Sequence, residues 1–331
     1  MKVLVTGVAG FIGSNVAEKL LRKGHKVVGI DNLSPYYSTD LKKYRLEFLE
    51  IFEEFKFLEF DLVNCGQLQE VVRNLKPEVV LHLAAQPGVR LPLEKIHDYV
   101  NSNLVGFSNT MQATIMEQTP LFIYASSSSV YGDSKEVPFR EDMIGIEPKS
   151  FYGATKLSNE ILSSSLLGMG DYKTRAIGLR LFTVYGPKGR PDMAYFKIAK
   201  AFSSSGEFEL FGDGTALRDF TFIDDVTESI EKLIPYGLQL PEGSNQILNI
   251  GGGNPRSMEE LINIVADCFQ GKGSVKRSDS YALDMIKTVA STDKLKKAID
   301  YLPSTTLEQG IEKFIDWFQQ PEVTLRISEW K

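Results

Sequence analysis

Cysteine is nearly absent from this chain. Two occur in 331 residues, Cys65 and Cys268, far apart and without a CxxC. A disulfide framework and a structural zinc site are therefore not expected. Histidine is as scarce: His25, His82 and His97 form no HxxxH or HExxH, so no metal is expected. No stretch reaches 18 uninterrupted apolar residues, so no membrane partner is expected either. Positive charge is not in excess. The 37 Lys and Arg against 43 Asp and Glu leave a net charge of −6, spread thinly. Such a chain binds phosphate backbones poorly, which argues against nucleic acid as the main partner.

What is present is a globular composition, 43% hydrophobic and 24% charged. The length fits one large or two modest domains. Lys2 and the apolar run after it have some look of a signal peptide. The run, however, contains three regularly spaced glycines and leads into a charged helical pattern, SNVAEKLLRKG. A cytoplasmic, soluble protein is expected.

The first 180 residues alternate between two textures. Short β-branched runs occur at 3–6, 26–30, 55–60, 78–83, 121–126 and 175–180. Helical patterns lie between them, as at 14–23, 64–75 and 156–167. This alternation predicts an α/β fold, a doubly wound parallel sheet of the Rossmann type covered on both faces. After residue 180 the pattern is irregular. Capping boxes at Ser257/Glu260 and Thr306/Gln309 announce two later helices, and QILNI at 246–250 reads as a strand. The expectation is a dinucleotide domain over 1–180, with a segment near 220–255 returning to it, and a smaller C-terminal lobe over 181–331 that binds the substrate.

The strand VLVT runs into Gly7, Gly10 and Gly13 and then a helix. A sharp strand-to-helix turn needs glycine, and a pyrophosphate must approach its backbone and the helix N-terminus closely. Asp31, 18 residues after Gly13, ends the second strand where a carboxylate accepts from ribose hydroxyls and repels a 2′-phosphate. Asn32 follows it rather than an arginine, so NAD is favoured over NADP. Asp61, closing the third strand, is placed for the adenine. Leu83, Ala84, Ala85 and Gln86, after the fourth, put small side chains beneath the cofactor.

Twenty-five residues after Ser127 stands Tyr152, in YGATK with Lys156. Tyr and Lys at i and i+4 share a helix face. A phenol is a poor base near neutrality; an ammonium one turn away favours the phenolate, as does the positive nicotinamide ring of bound NAD. A serine hydroxyl at the strand end completes a proton relay.

TGVAGFIG, LHLAAQPGVR, ASSSSVYG, YGATK, LRLFTVYGP, GRPDMA and RDFTFIDDV appear in one order along the whole length. In these motifs the chain resembles the extended short-chain dehydrogenases/reductases, and within them the NAD-dependent nucleotide-sugar epimerases. AAQPGVR, SSSSVYG and TVYGPKGRPDMAYF bring it nearest to the UDP-glucuronate 4-epimerases. The resemblance implies Ser127, Tyr152 and Lys156 as the catalytic set. It adds Phe11, Ile12, Leu62, Asn103 and Phe182 to the cofactor residues, and implies a homodimer. It implies that Tyr152 takes the proton of the sugar 4-hydroxyl and that bound NAD oxidises and re-reduces C4 on opposite faces. Arg90, Ser128, Thr183, Arg190, Lys197, Arg218 and Asp284 are implied for the UDP-sugar, Lys197 following Arg190 at helical spacing.

Two positions weigh against rival reactions. Related sugar dehydratases carry Asp-Glu before the VYG, and the decarboxylases carry a glutamate at the second of those places. Here Ser128 and Ser129 stand there, hydroxyls that either hold a carboxylate or pack a tight strand end. The chain departs from the pattern at Leu283, where a glycine is usual, and at Thr288–Ser291, TVAS instead of TxAD. Epimerisation of UDP-glucuronate to UDP-galacturonate is the expected reaction. A UDP-glucose/UDP-galactose epimerase and a non-catalytic NAD sensor are the alternatives.

Overall fold

A computed structural model describes residues 1–89, 92–279, 285 and 287–330. The chain runs β1 (Lys2–Thr6), α1 (Phe11–Arg22), β2 (Lys26–Asp31), α2 (Thr39–Glu50), β3 (Phe55–Glu59), α3 (Cys65–Leu75) and β4 (Val79–His82). A short helix α4 (Ile96–Tyr99) leads through a π-helical segment, Val100–Val105, into α5 (Gly106–Met116). Then come β5 (Leu121–Ser127), α6 (Phe151–Leu167), β6 (Arg175–Leu181), β7 (Thr183–Tyr185), α7 (Ala194–Ser203), β8 (Glu207–Phe211), β9 (Leu217–Phe222) and α8 (Ile223–Leu238). The remainder is β10 (Asn245–Ile250), β11 (Pro255–Ser257), α9 (Met258–Cys268), β12 (Ser274–Ser278), α10 (Asp293–Ile299), α11 (Leu307–Phe318) and α12 (Pro321–Ile327).

Seven strands form one sheet in the order β10-β6-β5-β4-β1-β2-β3, and every pairing in it is parallel. The doubly wound α/β sheet expected from the strand–helix alternation is what forms. Its central strands β1, β4 and β5 are largely apolar and buried because both faces are covered, while edge strand β3 leaves Lys56 and Glu59 exposed. Val3 and Val5 of β1 enter the core on one face, with α1 and α8; Leu4 enters the core on the other, with Leu68 of α3 and Phe107 of α5. The strand order reverses at β1, which lies between β2 and β4. That reversal opens a crevice at the carboxyl ends of the strands. β10, from the second half of the chain, extends the sheet beyond β6 in register from Asn245↔Ala176 to Ile250↔Leu181. Beside it lie a small sheet, β11-β9-β7, and the pair β12-β8.

Local signals set the boundaries. Both expected capping boxes form, at Ser257/Glu260 and Thr306/Gln309. The sixth helix begins at Phe151 rather than near 156, because the Ser150 hydroxyl accepts from the Gly153 amide at 3.0 Å and caps it. Tyr152 thus sits in a first turn, aimed at the crevice. β3 ends at Glu59, so Asp61 lies in the loop beyond it, where it accepts from the Val63 amide at 3.0 Å.

Candidate active site

The turn after β1 is built so that nothing but glycine fits. Gly7 has φ +70°, and a Cβ on it would lie 2.6 Å from the Ala84 nitrogen. A Cβ on Gly13 would lie 2.1 Å from the Gly7 carbonyl oxygen. The helix that follows has Gly10 as its N-cap, with no side chain filling the cap. Its first amides and positive dipole end therefore face the crevice unfilled. At the tip of β2, Asp31 accepts from the Ala9 amide at 3.1 Å and the Leu33 amide at 2.9 Å. The Asn32 side-chain amide donates to Asp61 at 2.7 Å, closing the adenosine end. This uncapped, glycine-lined cradle with a carboxylate at its ribose end fits a dinucleotide.

The crevice is a cleft of about 720 Å³. Gly7, Gly10, Phe11, Ile12, Gly13, Asp31, Asn32, Asp61, Leu62, Leu83, Ala84, Ala85, Gln86 and Phe182 all line it, together with Ser127, Tyr152 and Lys156. Asn103 does not. It is buried in the π-helical segment, where its amide donates to the Gln86 carbonyl at 3.2 Å and the Thr155 hydroxyl at 3.0 Å. Its oxygen accepts from the Gln86 amide at 2.7 Å. In the protein alone Asn103 thus supports Gln86 and does not line the cleft.

On the opposite wall, β5 delivers Ser127 and α6 delivers Tyr152. The Ser127 hydroxyl accepts from the Ser129 amide at 3.1 Å. Burial pushes the Tyr152 phenol above its usual value; the Arg190 cation and a hydrogen bond with Ser127 oppose that shift. Lys156 is wholly buried. Its ammonium donates to the Ala125 carbonyl at 2.8 Å and lies 5.9 Å from the centre of the Tyr152 ring. Burial lowers it to about 8. The protein alone thus holds Tyr152 as a phenol; the expected phenolate counts on the nicotinamide charge of bound NAD as well as on Lys156. Behind this wall Glu160, one turn beyond Lys156, accepts from the buried Arg180 at 2.7 and 2.9 Å and from the Ser126 hydroxyl, fixing the end of β5.

Ser128, Thr183, Arg190, Lys197 and Arg218 line the same cleft. Arg190 is not a waiting cation: it grips Asp192 through two bonds of 2.6 and 3.0 Å. Nor does Lys197 follow it along a helix, since α7 starts only at Ala194; the two share the cleft through the fold. Arg90, Asp284 and Leu283 lie outside the described residues. Sequence reasoning missed Tyr36, Lys42 and Lys149, which also line the cleft. The Lys42 ammonium is 4.0 Å from an Asp31 oxygen. No sequence signal marks these three, because each reaches the cleft only through packing. No cluster that could hold a metal occurs among the described residues.

A profile of the NAD dependent epimerase/dehydratase family matches residues 3–251. The chain belongs to that family. Among curated members of the NAD dependent epimerase/dehydratase family, it is 37% identical to the UDP-glucuronate 4-epimerase of Thermodesulfobacterium geofontis, covering 96% of each chain. It is 36% identical to the probable UDP-glucuronate 4-epimerase of Rhizobium meliloti, covering 97% of each. The crystal structure of the Bacillus cereus UDP-glucuronic acid 4-epimerase, in complex with UDP-glucuronic acid and NAD, superimposes with a TM-score of 0.89. That protein is 33% identical, with 97% of this chain and 99% of that one covered. In this NAD dependent epimerase/dehydratase family member, the glycine turn and Asp31 are the features that fit NAD.

Proposed function

We propose that this protein interconverts UDP-glucuronate and UDP-galacturonate by inverting the sugar at C4. The observation that carries the reading is one cleft with a dinucleotide cradle at one end and the Ser127–Tyr152 pair on the facing wall. The cradle of Gly7, Gly10, Gly13 and Asp31 would hold NAD, which supplies reversible oxidation at C4 when bound. Tyr152 accepts the proton of the 4-hydroxyl and returns it after the sugar has turned its other face. Ser127 bridges that hydroxyl and the phenol. Lys156 behind the ring, with the positive nicotinamide that bound NAD would bring, supplies the charge that ionises the phenol before it takes the 4-hydroxyl proton. The positive charge of Arg218 serves the diphosphate, and Arg190, its charge shared with Asp192, turns its remaining N–H groups to it. Ser128 and Thr183 donate to the sugar carboxylate, and no acid–base pair stands at Ser128 and Ser129 to eliminate water.

We also propose the division of labour read from the sequence: residues 1–180, joined by a returning segment near 220–255, carry the cofactor, and 181–331 carry the UDP-sugar. The pairing of β10 with β6 supports it. The working form is proposed to be a cytoplasmic homodimer, which sedimentation and fractionation test. No helix among the described residues is long and apolar enough to cross a membrane. The decisive experiment incubates the protein separately with UDP-glucuronate, UDP-glucose and UDP-xylose and resolves the products by chromatography. Conversion of UDP-glucuronate alone is expected. Equal turnover of UDP-glucose transfers the reading to a neutral-sugar epimerase, and no conversion leaves a non-catalytic NAD binder.

A further inference from the structure

Arg45, on α2, is fully buried. Its guanidinium donates to the Ala9 carbonyl at 3.0 Å, the Tyr37 hydroxyl at 2.6 Å, the Lys188 carbonyl at 2.9 Å and the Gly189 carbonyl at 3.1 Å. Three partners are backbone carbonyls and one is a phenol, so among the described residues no carboxylate pairs with this cation. A buried cation held only by neutral groups is costly unless an anion is to come close.

Its place in the fold says which anion. Ala9 lies inside the glycine turn, between Gly7 and Gly10. Its amide is taken by Asp31 and its carbonyl by Arg45, so the turn is gripped from both sides. Lys188 and Gly189 belong to the loop after β7 and immediately precede Arg190. That loop is bolted to the first lobe a second time. The Lys188 ammonium meets Glu18 of α1 at 3.0 Å and lies 3.8 Å from the centre of the Phe48 ring. The guanidinium of Arg45 is therefore one rigid fork joining the turn that receives the cofactor diphosphate to the loop that carries a cation of the substrate end.

We propose that Arg45 is a positioning residue that couples the two binding events: its unneutralised charge complements the dinucleotide diphosphate, and its fork carries the ordering of the turn into the loop before Arg190, so that bound NAD tightens the grip on the nucleotide diphosphate of the substrate. The proposal rests on the reading of NAD and UDP-sugar binding given above. Coupling of this kind is reciprocal in the two affinities.

The test is calorimetric. NAD is titrated into the NAD-free protein, and UDP is titrated into NAD-free and NAD-saturated protein, for wild type, Arg45→Lys and Arg45→Met. Wild type is expected to bind UDP about fivefold or more tightly once NAD is present, within the usual range of site-to-site coupling. Arg45→Lys keeps the charge and loses the fork. It should hold NAD within about threefold of wild type yet lose the NAD-dependent gain for UDP. Arg45→Met should lose both the gain and about tenfold in NAD affinity, the scale of one close charge pair. A merely structural arginine would lower thermal stability and leave the ratio of the two UDP affinities unchanged. Retained coupling in Arg45→Lys overturns the proposal, and that variant decides alone if Arg45→Met fails to fold. NAD binding without any coupling in wild type overturns this proposal only; no NAD binding in wild type overturns the functional reading itself.

Discussion

The Lys156 ammonium donates to the Ala125 carbonyl at 2.8 Å, two residues before Ser127 on the same strand. That bond ties the helix bearing Tyr152 to the strand bearing its hydroxyl partner. It also places a buried charge 5.9 Å from the centre of the phenol ring. The relay is thus one unit, in which helix and strand hold each other in register.

Replacing Tyr152 by Phe keeps the ring and removes the ionisable oxygen. Turnover of UDP-glucuronate is expected to fall about 10²- to 10⁴-fold, the scale of lost general base catalysis. NAD binding should survive, because the glycine turn and Asp31 hold the adenosine half. Steady-state kinetics with a parallel NAD titration check both halves; near-normal turnover refutes the role of the phenol.

Asp31 should set the preference between dinucleotides. Its carboxylate stands at the tip of β2 and already accepts two amides. A 2′-phosphate brought beside it meets like charge, so NAD should bind far more tightly than NADP. Asp31→Asn should narrow that gap, since Lys42, 4.0 Å away, would keep its positive charge without its partner. Parallel titrations of both dinucleotides at one salt concentration decide it, and equal affinities in wild type would remove Asp31 from this role.

His82 makes stability depend on acid. It is wholly buried at the end of β4, with a ring nitrogen 3.0 Å from the Thr6 hydroxyl, and burial lowers it from 6.5 to about 3. Between those values the unfolded chain binds a proton that the folded one refuses, so stability falls as pH drops from 6.5 toward 3. The slope from this one group is at most about 1.4 kcal/mol per pH unit. Denaturant midpoints measured across that window should lose part of their slope in His82→Gln. An unchanged slope would show that other groups carry the acid response.

Ser128→Ala or Thr183→Val should weaken uronate turnover more than NAD binding. A 4-keto uronate is a β-keto acid and loses carbon dioxide when its carboxylate leaves a polar site. Fewer hydroxyl donors should therefore raise the fraction of 4-keto-pentose by-product. Unpaired polar groups at such a site cost about 1–3 kcal/mol each, enough to register clearly in product ratios. Mass spectrometry of the products, wild type beside each variant, gives the comparison, and identical partitioning would mean that these two hydroxyls do not hold the carboxylate.

Much of the fold was legible because its signals are local. Parallel strands covered on both faces read as short, mostly apolar β-branched runs, and β1 to β6 were visible as such runs, β3 and β6 with charged residues among them. The two capping boxes spoke for α9 and α11 through four residues each. α2 was invisible for the opposite reason. Its buried face includes Lys42, Tyr44 and Arg45 beside Leu41, Leu46 and Leu49, so its apolar period is broken by the polar groups it carries inward. The links of Asn103 to Gln86 and Thr155 were not legible, because they span 17 and 52 positions.

By itself the sequence determined the strand–helix order, the glycine turn, the carboxylate at the tip of β2 and the phenol–ammonium spacing on α6. Each depends on residues a few positions apart, where backbone geometry alone sets the distance. Only the tertiary structure decided which charges meet. Arg45 reaches Lys188 across 143 positions and Lys188 reaches Glu18 across 170. Over such separations the chain fixes no distance; tertiary packing does, and with it whether an arginine is a surface charge or a buried fork between distant segments.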